Sequence, residues 1–301
     1  MRTLAVGYFT PNVLLDLCRS TGRLRQHGVQ VTEVRVASSL EQFRSLVEGR
    51  LDVALTNPDN VLSYRYDPQN GLGKLSDVKI VAAIDRGMGL GLYVPAGLGP
   101  ADLVGARVGV DVATSGFALV LYSLLESLGI TRDQYEVVAM GSTPRRLEAL
   151  LSGECEATML NGGIELVAEQ RGCVRLVSAA QQLAPYLGGV VAVSGDSQLE
   201  GARQLSRALL DTVDDILSGG VDELAAESAM RLLGLDAGSA ARYVERLRDP
   251  VEGLVPGGQV PPEALAALVR LRTTHLPRPG ADGRDLLQAA LDEAAGLVVN
   301  V

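Results

Sequence analysis

The strongest constraint on the fold of this chain is an internal repeat. Residues 31–57 and 135–161 align at a constant offset of 104 positions, and the two segments end in Asn57 and Asn161. Identity between the copies is low, yet turn, charged and apolar positions coincide along their whole length. Two similar α/β units that face each other form a cleft that can enclose a small molecule. The repeat therefore predicts two lobes, with Asn57 and Asn161 at equivalent points on opposing walls.

Alternating apolar periodicities predict an α/β fold. In the first half, strands and helices alternate at residues 4–8, 12–26, 31–36, 40–48 and 52–56. In the second half, they alternate at residues 107–111, 115–128, 136–140, 144–151 and 157–160. Strands that alternate with helices pair in parallel through right-handed crossovers. We therefore expect two similar lobes, each with a mostly parallel sheet flanked by helices.

Two apolar segments are predicted to join the lobes as crossing strands. Residues 79–94, interrupted at Asp85, carry the chain into the second lobe, and residues 187–194 carry it back. We expect lobe one to comprise residues 1–91 and 190–301, and lobe two residues 92–189. The C-terminal region is predicted to be helical, at residues 198–217, 221–233, 237–247, 262–274 and 282–295.

Composition excludes several classes of function. The net charge is −9, and no basic run is longer than Arg145-Arg146, which argues against a nucleic-acid partner. Three cysteines without CxxC spacing indicate buried, reduced thiols, and neither a metal site nor a cofactor is expected. No apolar run is long enough to span a membrane. Because the first strand begins almost at once, we expect a cytoplasmic protein, or a periplasmic or extracellular one whose leader was removed.

Polar residues at the carboxyl ends of the strands are the candidates for ligand binding, because ligands bind beyond these ends in parallel sheets. The candidates are Thr10, Asn12, Asn57, Asp59, Arg86, Thr114, Ser115, Gly116, Asn161 and Tyr186. Asn12, Asn57 and Ser115 could equally be helix caps. Arg86 could bind a carboxylate or phosphate through two parallel hydrogen bonds, or form an inter-lobe salt bridge. Tyr186 could stack on a ring or simply pack at the rim.

Four segments resemble a known family. They are residues 46–57 (LxxGxxDVAL), 103–116 (LxGxxVGVDxxTSG), 144–160 (PxxLxALLSGExEAxML) and 187–194. The chain resembles the type II periplasmic-binding-protein fold over about residues 1–195. More narrowly, it resembles the solute-binding proteins of ABC importers for sulfonates, nitrate and thiamine precursors. The resemblance implies that two lobes close around a small anionic or heteroaromatic solute, with an ABC permease as a partner.

An enzyme on the same scaffold is the alternative. The fold also occurs in cytoplasmic, cofactor-independent enzymes, such as chorismate dehydratase and dihydroxyphthalate decarboxylase-like proteins. A lyase or decarboxylase would need a carboxylate base with a raised pKa in the cleft, for which Asp59, Asp85 and Asp111 are the candidates. His27 and His275 lie near helix ends and are interpreted as structural. A third possibility is a scaffold protein that binds a partner through its C-terminal helices.

Overall fold

Two five-stranded sheets, each flanked by helices, form the framework of the protein. The computed structural model describes residues 1–277, 283–299 and 301. The first sheet contains β1 (Arg2–Tyr8), β2 (Val29–Arg35), β3 (Val53–Thr56), β4 (Val78–Asp85) and β10 (Gly189–Ser194). Its order is β2-β1-β3-β10-β4. β1 pairs in parallel with β2 and β3, while β10 runs antiparallel to β3 and β4.

The second sheet repeats this arrangement. It contains β5 (Gly91–Pro95), β6 (Arg107–Val110), β7 (Glu136–Ala139), β8 (Ala157–Leu160) and β9 (Cys173–Ser178), in the order β7-β6-β8-β5-β9. β6 pairs in parallel with β7 and β8, and β5 is antiparallel to β8 and β9. The two copies of the sequence repeat occupy equivalent places in the two sheets. The predicted α/β fold with two similar, mostly parallel sheets is confirmed.

Helices cover both sheets. The first eight are α1 (Val13–Ser20), α2 (Arg23–Gln26), α3 (Ser39–Val47), α4 (Pro58–Tyr66), α5 (Gly116–Ser127), α6 (Thr143–Ser152), α7 (Ile164–Gln170) and α8 (Ala179–Leu183). The C-terminal region contains α9 (Leu199–Leu217), α10 (Asp222–Leu233), α11 (Ala237–Arg248), α12 (Pro262–His275) and α13 (Gly283–Leu291). None of the helices within the described residues is long and apolar enough to cross a membrane.

The structure corrects several boundaries. The single helix predicted for residues 12–26 is two helices, because Gly22 adopts a left-handed conformation (φ 81°) that ends the first helix. The sequence pattern does not predict α7 or β9. The predicted start of the last helix, Asp282, lies outside the described residues.

The chain passes between the sheets twice. Residues 86–90 connect β4 to β5, and residues 179–188 connect β9 to β10. Residues 86–90 lead directly from β4 into β5, whereas the return segment contains α8 before it enters β10. The C-terminal helices pack around this junction: α9 lies against β4 and β10, while α12 contacts both α4 and α5.

A buried ion pair fixes α12 onto α4. Arg272 donates from Nε to Oδ1 of Asp59 at 2.9 Å and from Nη2 to Oδ2 at 2.6 Å. Both side chains are almost fully buried, and Asp67 lies 3.6 Å from Nη1 of the same guanidinium. Breaking such a pair by removing one partner leaves an uncompensated buried charge, which is strongly destabilising.

We expect Arg272→Met to lower the free energy of unfolding by about 3–5 kcal/mol, because the buried Asp59 side chain would lose its partner. The double variant Asp59→Asn/Arg272→Met should lose less free energy of unfolding than the single variant Arg272→Met. Urea denaturation measures both changes. Arg207, whose exposed side chain lies 3.9 Å from Glu200, provides the control. Arg207→Met should change the free energy by less than about 0.5 kcal/mol, and an equally small change for Arg272→Met would contradict the assignment.

Candidate ligand-binding cleft

A cavity of about 170 Å³ lies between the two lobes. From the first sheet, the segment after β1 (residues 8–14) and the end of β3 contribute to its lining. The second sheet contributes residues at the ends of β6, β7 and β8 and the starts of α5 and α6. The two connections between the lobes contribute near Asp85 and Gly189, and the C-terminal region contributes Leu209, Tyr243, Leu247 and Leu254. The cavity thus lies beyond the carboxyl ends of the parallel strands, where ligands bind in such sheets.

Several predicted site residues line this cavity. They are Thr10, Asn12, Asn57, Ser115 and Asn161, together with the acidic candidates Asp85 and Asp111. Asn57 follows β3 in the first lobe, and Asn161 follows β8 in the second. The two repeat-related asparagines therefore contribute to the same cavity from different lobes, as the repeat predicts.

Three of these residues also cap the helices that they precede. The Asn12 carboxamide oxygen accepts a hydrogen bond from the Leu15 amide at 2.8 Å, which closes the first turn of α1. The Ser115 hydroxyl accepts from the Ala118 amide at 3.3 Å at the start of α5. Asn57 caps α4 in the same way. The capping and ligand-facing interpretations are therefore compatible, because each residue caps a helix while it lines the cavity.

Asn57 also holds the second connection between the lobes. Its Oδ1 accepts from the Asp59 amide at 2.8 Å, and its Nδ2 donates to the Tyr186 hydroxyl at 3.0 Å and to the Gly188 carbonyl at 3.3 Å. Tyr186 is 4% exposed and does not line the cavity, so of its two interpretations the structure favours packing over stacking on a ring. Burial raises the pKa of the Tyr186 phenol, so the group stays a neutral hydrogen-bond partner.

Arg86 is the main correction to the predicted site. Its guanidinium donates to the Leu254 carbonyl at 2.5 Å, and its backbone N–H donates to the Gly253 carbonyl at 2.9 Å. The side chain is not among the residues that line the cavity. The loop after α11, which is remote in sequence, binds this connection between the lobes. Its carbonyl groups accept the hydrogen bonds that Arg86 donates.

Three other candidates also lie outside the cavity lining. Each carboxylate oxygen of Asp59 accepts a hydrogen bond from Arg272, which ties this side chain to α12. Thr114 is exposed at the surface. Gly116 packs against Asn57 and Asp59 of the first lobe. Neither histidine lines the cavity: His27 is hydrogen-bonded to Asp211 at 2.8 Å, and His275 lies against α5.

Direct contacts hold the lobes in a closed arrangement. A Cβ atom placed on Gly116 would lie 2.4 Å from Oδ1 of Asn57 and 2.9 Å from Cβ of Asp59, so the starts of α4 and α5 touch. The Ser39 amide, in the first lobe, donates to Oδ2 of Asp111 in the second at 3.3 Å. Only a glycine fits at position 116 when the lobes approach this closely.

Two carboxylates give the cavity a partly acidic character. Asp85 ends β4, and its Oδ1 accepts from the Gly87 amide at 2.8 Å. Burial raises the pKa of the Asp85 carboxyl to about 6. Asp111 is 8% exposed, and its Oδ1 has no hydrogen-bond partner among the described residues. Both acids can accept a hydrogen bond from a ligand, and Asp85 can also change its protonation state near neutral pH.

Arg146 is a cavity residue that the sequence interpretation missed. It is 1% exposed and donates to the carbonyls of Gly141 and Met159 and to the Thr143 hydroxyl. Burial lowers the pKa of its guanidinium to about 10, against the opposing effect of Asp111. A signal was present in the sequence, because Arg146 lies on the same helical face as the apolar Leu150. A charge on an apolar helix face indicates a specific buried role.

We expect Gly116→Ala to destabilise the protein by about 1–3 kcal/mol, because the added methyl group overpacks the contact with Asn57. Small-angle scattering should show a larger radius of gyration, since the lobes must separate. Gly238→Ala, within α11, is the matched control, because its added Cβ would meet only ordinary contacts. If both variants unfold at the same denaturant concentration with the same radius, the starts of α4 and α5 are not in contact.

Asp85→Asn should stabilise the protein more at pH 7.5 than at pH 4.5. The Asp85 pKa is about 6 in the folded protein and 3.8 in the ordinary case, so the folded state binds the proton more tightly. The free-energy cost of burying the charged Asp85 carboxylate is therefore absent below pH 3.8 and fully present above pH 6. Urea denaturation should show a stability gain that grows by up to about 2 kcal/mol between the two pH values. The exposed Asp214→Asn should show no such trend, and a gain that does not depend on pH would refute the assignment.

Comparison with known proteins finds similarity in structure only. No protein-family model matches the chain, and no curated protein sequence matches it. The alkanesulfonate-binding protein SsuA from Xanthomonas axonopodis pv. citri, bound to MOPS, superposes with a TM-score of 0.75 at 17% identity, covering 100% of this chain and 99% of that one. The periplasmic nitrate-binding protein NrtA from Synechocystis PCC 6803 gives a TM-score of 0.76 at 12% identity, with coverages of 96% and 85%.

A third structure identifies the fold by name. The Candida albicans CA3427 gene product is described as exhibiting the generic periplasmic binding protein structural fold. It superposes with a TM-score of 0.70 at 16% identity and covers 99% of this chain and 96% of that one. The similarities extend over nearly the whole chain, including the C-terminal helices. Two equivalent sheets, two connections and a cavity at their junction, together with these superpositions, show that the chain has the periplasmic-binding-protein fold.

Proposed function

We propose that this protein binds a small anionic or heteroaromatic molecule by closing two lobes around it. The observation that carries this proposal is the cavity itself, which lies beyond the strand ends of both sheets and receives Asn57 from one lobe and Asn161 from the other. A ligand in this position contacts both lobes at once. Its binding free energy therefore favours the closed arrangement over an open one.

The chemistry of the lining supports a ligand with both polar and apolar parts. Polar side chains cluster at the strand ends, while Phe9, Phe117 and Met88 supply apolar surface. Such a combination of apolar surface with a few placed polar groups is typical of small-molecule sites. Helix N-termini in the lining add backbone N–H groups that favour negative charge.

The lobe boundaries follow from the same proposal. We assign residues 1–91 and 190–301 to lobe one and residues 92–189 to lobe two. β4 and β5, on either side of residues 86–90, belong to different sheets, and so do β9 and β10. Relative motion of the lobes would therefore be concentrated in residues 86–90 and 179–188.

Delivery of the ligand to an ABC permease is the proposed cellular role. Structures with similar folds include proteins named for alkanesulfonate and nitrate binding, the second of them described as periplasmic. By analogy, the permease would recognise the closed lobes, and the protein would act in the periplasm or outside the cell. Cell fractionation tests the location, and copurification with a permease tests the partner.

Native mass spectrometry of the purified protein should detect a bound small molecule, released unchanged on denaturation. Calorimetry with that molecule should show weaker binding to Asn161→Ala, by about 2- to 12-fold for one lost hydrogen bond. Gln30→Ala, on the exposed side of β2, should bind like the unchanged protein. Recovery of a chemically altered ligand would indicate an enzyme instead of a binding protein. Equal affinity of both variants would remove Asn161 from the site.

A further inference from the structure

Four charged side chains form a cluster that joins the two lobes beside their first connection. Glu165, on α7, and Arg175, on β9, come from the second lobe. Arg246, on α11, and Glu252, in the loop after α11, come from the C-terminal region. Because α11 packs against α9, which lies on β4 and β10, this part of the C-terminal region is attached to the first lobe.

Charges of opposite sign alternate along this cluster. Arg246 forms an ion pair with Glu165, and its Nε lies 3.2 Å from Oε1 of Glu252. Arg175 donates from Nη1 to Oε2 of Glu252 at 3.0 Å. Two positive groups thus bind two negative ones. The pairs Glu165–Arg246 and Arg175–Glu252 each join one lobe to the other.

The pair Glu165–Arg246 is shielded from water. The Glu165 side chain is 0% exposed and the Arg246 side chain 11% exposed. One carboxylate oxygen of Glu165 accepts from Arg246, and the other accepts from the Gly163 amide at 2.7 Å. Separating a buried pair of this kind leaves unpaired charges in surroundings of low polarity, which costs far more than separating an exposed pair. Any motion of the lobes that takes α7 away from α11 therefore meets strong resistance.

The same ion pair lies directly against the first connection. A Cβ atom placed on Gly89 would lie 2.6 Å from Nη1 of Arg246 and 2.7 Å from Oε1 of Glu165. Gly89 also has a positive φ of 78°. Only glycine fits these two conditions together. The backbone of the connection is therefore packed onto the pair that joins the lobes.

Met88 shows that this connection is held in an unusual conformation. Among the described residues, it is the only non-glycine residue with a positive φ (49°). Its N–H donates to the Glu252 carbonyl at 2.8 Å, and its carbonyl accepts from the Gly162 amide at 2.8 Å. Such a conformation persists only where the surroundings impose it. The Met88 side chain lines the cavity, so the cavity and the cluster share one segment of backbone.

Building on the proposed closure of the lobes, we propose that these four charges form a latch that holds the lobes together independently of a ligand. Opening of the cleft changes the position of α7 relative to α11, so the pair Glu165–Arg246 must separate. The latch, in addition to any ligand contact, thus sets how often the cavity is accessible. A ligand that contacts Met88 acts on the same segment that the latch restrains.

A cysteine placed in the cavity measures how often the cleft opens. Ser142 lines the cavity and is 8% exposed, and Ser142→Cys changes its size little. The reagent is fluorescein maleimide, which is too large for the closed cavity. The three native cysteines are buried, so opening exposes only the new thiol, whereas unfolding exposes all four. Mass spectrometry of the intact protein counts the labels and separates the two events.

Arg246→Met in the Ser142→Cys protein should increase the rate of single labelling at least about 30-fold, because it removes both partners of the latch arginine. The labelling rate follows the open population when the lobes reclose faster than the thiol reacts. Glu165→Gln is the second variant, since it keeps the size of the side chain and an acceptor for the Gly163 amide. It should increase the rate at least about tenfold, and it tests the latch even if Arg246→Met unfolds.

Arg242→Met is the matched control. Arg242 lies one turn before Arg246 on α11 and also pairs with α7, through Glu169, but its side chain is 51% exposed. Loss of this exposed pair should change the labelling rate by less than about fivefold. Equal rates of single labelling in Arg246→Met, Glu165→Gln and Arg242→Met would overturn the latch. So would labelling of all four cysteines in Arg246→Met with a Glu165→Gln rate that matches the control.

The failure of the latch can be told apart from the failure of the proposed function. Single labelling at the same rate in every variant shows that the cleft opens without a latch, and the proposed function stands. Labelling of all four cysteines together in every variant shows that the cleft does not open short of unfolding, which refutes both. Faster single labelling in Arg246→Met and Glu165→Gln, but not in Arg242→Met, supports both.

Discussion

The hydrogen bonds of Asn57 are the interactions on which the rest of the structure depends. One side chain begins α4, holds the segment that returns from the second lobe, and contacts the start of α5. These three elements come from both lobes and from a connection between them. A side chain with one acceptor and two donors can satisfy all of these contacts at once, which a hydroxyl or an apolar group cannot. Closure of the lobes and the shape of the cavity therefore both depend on Asn57.

The fold could be predicted from sequence because the repeat and the alternating periodicities are local properties. Prediction from position at a strand end correctly placed residues in the lining of the cavity, as for Asn12 and Ser115. It failed for Arg86, whose partners belong to a loop about 168 positions further along the chain. It also failed for Arg146, since a buried guanidinium is stabilised by carbonyls of two segments that only the tertiary structure brings together.

Electrostatics in the cavity reflect a balance between one buried cation and two carboxylates. Burial disfavours the charged forms of Arg146 and Asp85: it lowers the pKa of Arg146 to about 10 and raises that of Asp85 to about 6. Unpaired charges in such surroundings are costly for folding. They also interact more strongly with a ligand than they would in water. The same groups that reduce stability can thus provide selectivity for the charge of the bound molecule.

The interior position of β10 in the first sheet has a consequence for biosynthesis. β10 lies between β3 and β4, yet the ribosome makes it only after all five strands of the second sheet. Until then, β3 and β4 have no shared neighbour to hydrogen-bond. The N-terminal half of the chain must therefore wait, with part of its backbone unpaired, while a later segment assembles. The first sheet, whose synthesis begins before that of the second, is therefore completed after it.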